Sequence, residues 1–150
     1  MNTDIEFLDH QRMKFLKYYV IGFFTFMLLM LTRYFFRMSG LNSQPIGTAV
    51  LIGWIATLLV QAICVIRLAL LEREIHQDPR LESALNNEMV KSLNTQAWIA
   101  AYLGSIGMTL FYAITSSFYP ICDPVTISFS AIIAGAGTHR AYFYFRYKMT

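Results

Sequence analysis

No acidic residue lies in any of the four long apolar stretches of this chain, Tyr18–Phe36, Ile46–Leu71, Trp98–Tyr119 and Val125–Phe145. All nine acids fall outside them: Asp4, Glu6, Asp9, Glu72, Glu74, Asp78, Glu82, Glu88 and Asp123. A proton-coupled carrier of the small multidrug type needs a membrane carboxylate to exchange protons with its substrate, so this absence argues against one. Cysteine is equally scarce. Cys64 lies within the second stretch and Cys122 in the connection after the third, at different expected membrane depths, which argues against an intrachain disulfide. The three histidines, His10, His76 and His139, leave no pair facing each other inside a bilayer, so neither bis-histidine haem nor a metal centre is expected. C-x-x-C, H-E-x-x-H, G-x-S-x-G and glycine-rich phosphate loops are all missing. The expectation is a protein that is not an enzyme and carries no cofactor.

What the chain has in abundance is apolar length. Hydrophobic residues make up 56% and charged residues 14%, too apolar for a soluble domain of this size. About 20 apolar residues at 1.5 Å rise cover a hydrocarbon core of roughly 30 Å, and each stretch is near that length. The predicted fold is an all-α integral membrane protein with four transmembrane helices, over about 18–36, 46–71, 97–119 and 125–145. Residues 1–17 and 146–150 form short flanking tails, and 72–96 an inner connection. The acids in the N-terminal tail and the lack of a small-x-small cleavage site after the first stretch predict a retained signal anchor, with the mature chain starting near Met1.

Basic residues orient these spans, because Lys and Arg in short loops stay on the cytoplasmic side. Arg12, Lys14, Lys17, Arg67, Arg73, Arg80, Lys91, Arg140, Arg146 and Lys148 all fall on one predicted side, against Arg33 and Arg37 on the other. Both termini are therefore predicted to be cytoplasmic. The net charge of +3 is explained by this asymmetry, and no nucleic-acid partner is expected. Small size and compact loops point to a bacterial inner membrane.

The inner connection carries its own helix signals. Asp78 can cap a helix whose first turn holds Pro79, and with no Gly or Pro before Gly104 the reading is one long helix from Pro79 through the third span. The second and third helices would then extend into the cytoplasm as a short stalk. Leu81, Leu85, Met89 and Leu93 make an apolar stripe on it, which either packs on Leu71 and Ile75 or docks a partner.

Small residues recur every fourth position in the third span, at Ala97, Ala101, Ser105, Thr109, Ala113 and Ser117, with shorter series in the second and fourth. In lipid, such residues allow close backbone approach. The first span, rich in Phe, Leu and Met, lacks them. Spans two to four are therefore expected to form the core, with the third central and the first peripheral, facing lipid or a partner.

Polar groups within the spans supply the only candidate ligand site. Gln61, Arg67, His139 and Arg140 share an expected depth near the inner headgroups, where they either snorkel separately or form a pocket for an anionic lipid or other anion. Two functions follow. The first is an accessory or assembly subunit that binds itself or a larger membrane complex through its first span and stalk. The alternative is a small-solute or lipid-handling transporter, expected as a dimer, built on the basic pocket.

Overall fold

The computed structural model describes residues 2–40, 45–85, 88–118 and 124–149. They form five helices: α1 (Asn2–Met38), α2 (Pro45–Gln77), α3 (Pro79–Leu85), α4 (Glu88–Phe118) and α5 (Pro124–Met149). Three of them, over Ile5–Phe36, Pro45–Gln77 and Glu88–Ser116, are long and apolar enough to cross a membrane. Cys122 and the remaining residues of the connections at 41–44, 86–87 and 119–123 lie outside the described residues.

Proline sets three of the helix starts. Pro45, Pro79 and Pro124 are each the first residue of a helix, where the missing N–H would have had no intrahelical acceptor. Pro79 also ends α2, because its ring disfavours helical geometry at the preceding residue. Asp78 then caps α3: its Oδ1 accepts from the Arg80 N–H at 2.8 Å. At the end of α1, Gly40 takes φ +71°, a left-handed conformation open to glycine at little cost.

One expectation about element extent needs correction and another runs through undescribed residues. Helices α3 and α4 lie on either side of residues 86–87, so the part of the predicted single helix from Pro79 that joins them falls outside the described residues. The N-terminal tail, assigned no structure, is helical from Asn2 and continuous with the first span. It packs into the stalk, where Leu8 joins Leu71, Ile75 and Leu85, with Ile5, Phe15 and Leu81 around them.

The packing order also differs from expectation. Helix α1 packs on α2, α5 and α3, whereas α4 packs chiefly on α5, so the long helices follow the order α2, α1, α5, α4. The supposedly peripheral first span is thus central and the third lies at an edge. Close approach needs a small residue on only one side of each contact. Bulky α1 side chains supply the other side: Phe23 sits where a Cβ on Gly137 would be, and Leu29 lies against Gly53. Between α4 and α5 both partners are small. Gly104 meets Thr138 and Gly135 meets Ser105, whose Oγ donates to the Ala131 carbonyl at 3.0 Å.

The buried positions of α1 repeat at helical spacing, Leu8, Arg12, Leu16, Tyr19, Phe23 and Phe26. Their partners run in reverse order along α5, with Asp9 on Tyr147, Arg12 on Phe143 and Met30 on Ser130. Neighbouring long helices are therefore antiparallel, and both termini lie at the end of the bundle that holds α3.

The Gly137 contact gives a direct test. Gly137→Val should destabilise the protein by about 1–3 kcal/mol through overpacking, and Phe23→Ala in the same chain should recover part of that loss. Gly107→Ala, where a Cβ meets nothing within 4 Å, serves as the neutral control. Thermal unfolding in detergent measures all three.

Candidate functional site

The residues predicted to form one basic pocket are divided by the helix geometry of α2. Its buried stripe is Gln61, Cys64, Leu68, Leu71 and Ile75. Arg67 follows Gln61 by six residues, about 600° of helical rotation and so about 120° away from it. It lines a separate cleft with Gln11, Lys14, Phe15 and Glu74. Gln61 is buried next to Gly22, and its Nε2 has no hydrogen-bond partner.

His139 and Arg140 do come together, and they meet residues not anticipated from the sequence. A cleft of about 220 Å³ is lined by Arg12 and Leu16 of α1, Leu68 and Glu72 of α2, Asn94 and Trp98 of α4, and His139, Arg140 and Phe143 of α5. Among these, Arg12 is only 6% exposed. Its Nη2 donates to Glu72 Oε1 at 3.3 Å, and its guanidinium lies over the Phe143 ring, 5.3 Å from the centroid. Its Nη1 is buried with no hydrogen-bond partner. His139 faces the Trp98 ring at 4.7 Å between centroids, with Nε2 3.1 Å from Asn94 Oδ1. Arg140 forms no ion pair among the described residues.

Arg12 and Glu72 were legible as a pair only through periodicity. Arg12 occupies a position of the apolar stripe of α1 that Leu8 and Leu16 continue on either side. Glu72 lies eleven residues after Gln61, only about 20° from it in helical rotation. An ionisable residue at a stripe position marks a buried charge, whereas position along the chain alone assigned both to the cytoplasmic flank.

The apolar stripe on the inner connection is divided as well. Leu81 and Leu85 are covered by Leu8, Leu71 and Ile75, and Leu93 packs beside Val90 and Phe143. Met89 is 41% exposed. Val90 rather than Met89 faces the core. Among the described residues no three His, Cys, Asp or Glu side chains cluster as a metal site.

Polar contacts close the same end of the bundle. The Tyr142 hydroxyl donates to Gln96 Oε1 at 2.9 Å, tying α5 to α4. The Tyr147 hydroxyl donates to Asp9 Oδ1 at 2.9 Å, tying α5 to α1. Burial, reinforced by the hydrogen bond to Asp9, pushes the Tyr147 phenol above its ordinary value.

No protein-family model, curated protein or solved structure matches this chain. The class defined by the structure is an all-helical protein with three helices able to span a membrane, compatible with an integral membrane protein.

Tyr147→Phe should cost about 0.5–1 kcal/mol of stability at pH 8. The folded state favours the neutral phenol. The wild-type advantage is therefore full below the ordinary tyrosine value of about 10 and fades as pH rises through the higher folded value. Unfolding of both proteins across pH 8 to 11 checks the sign.

Proposed function

We propose that this protein is a four-span membrane module, with both termini cytoplasmic, that serves as an accessory or assembly subunit. A fourth crossing by α5 is supported by its antiparallel packing along α1 and α4 from Ile127 to Tyr147. Aromatic residues support the same placement. Tyr18 and Tyr34 of α1 are sixteen residues apart, about 24 Å of helix, close to the hydrocarbon thickness. The orientation rests on ten basic residues at the end of the bundle that holds the termini, against Arg33 and Arg37 at the other. A bacterial inner membrane fits such a module.

The assembly reading is carried by α2. This helix sits at one edge of the row, and only 11% of its apolar window is buried. Ile52, Ile55, Leu59, Ile63, Ile66 and Leu70 are all exposed and fall within about 80° of one another around the helix, nearly opposite the buried stripe. A continuous ridge of large branched side chains can interdigitate with a partner helix over about five turns, whereas Leu81 and Leu85 of the stalk are covered within the chain. The proposed assembly face is this ridge of α2, joined by the first span, whose Ile21, Phe24, Leu28 and Phe35 are also exposed, and the partner is a second copy or a larger membrane complex. A second reading, a lipid-handling or small-solute transporter, is favoured by the Arg12 cleft.

Native mass spectrometry of gently extracted protein should find it bound to a second copy or to a stoichiometric foreign subunit. Replacing Leu59, Ile63 and Ile66 together by Ala should release the single chain without lowering its own unfolding temperature by more than a few degrees. A wild-type monomer, or an assembly indifferent to the triple variant, would refute the reading.

A further inference from the structure

The cleft between α2 and α4 carries more positive charge than the chain neutralises. Arg12 uses Nη2 on Glu72, while its buried Nη1 has no acceptor. Arg140 lines the same space without an ion-pair partner among the described residues. Counting Arg12 and Arg140 against Glu72 leaves one net positive charge. A buried guanidinium donor with no acceptor is costly, and a ligand oxygen would relieve that cost.

The cleft also continues into an apolar groove. Trp98, His139 and Arg140 line both the cleft and a second hollow of about 480 Å³ between α4 and α5. Its walls include Ala101, Ser105, Ile132, Gly135 and Ala136. The small residues among them, Ala101, Ser105, Gly135 and Ala136, bring the two helix backbones close and leave a furrow beside the contact. From His139 to Ile132 the furrow follows seven residues of α5, about 10 Å along the axis. A cationic head joined to an apolar furrow of that length matches an amphiphile and exceeds what a bare anion needs.

The geometry points to a binding site for a phosphate-bearing amphiphile, an anionic glycerophospholipid of the leaflet at the termini end of the bundle. Its phosphate diester lies between Arg12 Nη1 and Arg140, and one acyl chain occupies the α4–α5 furrow beside Trp98. The planar guanidinium of Arg12 serves both anions at once, donating to Glu72 from one nitrogen and to the phosphate from the other. A single surplus charge selects a monoanionic diester. Free inorganic phosphate shares the head chemistry but leaves the furrow empty.

The test uses the full chain in nanodiscs of mixed phosphatidylglycerol and phosphatidylcholine, followed by detergent release and native mass spectrometry. Wild type should retain one phosphatidylglycerol per chain and shed phosphatidylcholine. Arg140→Gln should retain at least tenfold less, with an unchanged unfolding temperature in pure phosphatidylcholine, and Ala136→Phe, which fills the furrow away from the cations, should also lose retention. Equal retention of the two lipids, or wild-type retention by Arg140→Gln, overturns the site. Stabilisation by inorganic phosphate in wild type and Ala136→Phe alike, with no lipid retained, assigns the site to free phosphate and overturns the lipid assignment. Should Arg140→Gln fail to fold, the comparison of Ala136→Phe with wild type decides.

Discussion

A single buried cation organises the end of the bundle where the chain begins, reverses and ends. Arg12 lies at a core position of α1, pairs with Glu72 of α2 and stacks over Phe143 of α5. Three helices must therefore meet at fixed register for this charge to be tolerated. Leu16 and Leu68, buried beside it with Phe143, shield its guanidinium from water, which makes any misregister expensive. The N-terminal tail is helical for the same reason: only as a continuation of α1 does it bring Leu8 and Arg12 onto one face.

From that anchor the membrane part follows a rule of unequal partners. Helix α1 has few small residues and many large ones, and it becomes central because its neighbours offer glycines at matching depths. The α4–α5 pair reaches close approach by another route, with small residues on both sides and a serine hydroxyl bonding across to a backbone carbonyl. In lipid, where burial of apolar surface gives no net drive to association, such fitted contacts and a few interhelical hydrogen bonds hold the helices together. The helices at the two ends of the row, α2 and α4, are left with broad apolar surfaces.

Helix class and approximate extent could be read from apolar length, and the starts at Pro45, Pro79 and Pro124 from backbone chemistry. Packing order could not be read in the same way. A stripe of small residues identifies a helix that can be approached closely, but it does not say by how many neighbours, and the α4 series is largely satisfied by α5 alone. The predicted pocket was half visible. His139 and Arg140 do share a cleft, while Arg67 turns away because depth along a helix carries no information about its azimuth. Arg12 and Glu72 were counted as flanking charges by position in the chain, although their place in the apolar repeats of α1 and α2 puts both on inward faces.

The asymmetry of the Arg12–Glu72 pair offers the most direct test of Arg12 as organiser. Glu72 has 40% of its side chain exposed and can find water if its partner is removed, whereas Arg12, at 8%, cannot. Unfolding should be compared for Arg12→Met and Glu72→Gln in a neutral detergent stripped of anionic lipid. Glu72→Gln should be the more destabilising, by about 1 kcal/mol or more, because it strands a buried charge that Arg12→Met removes. A larger loss from Arg12→Met would mean that Arg12 contributes mainly by packing, and that its charge does not fix the register of the three helices.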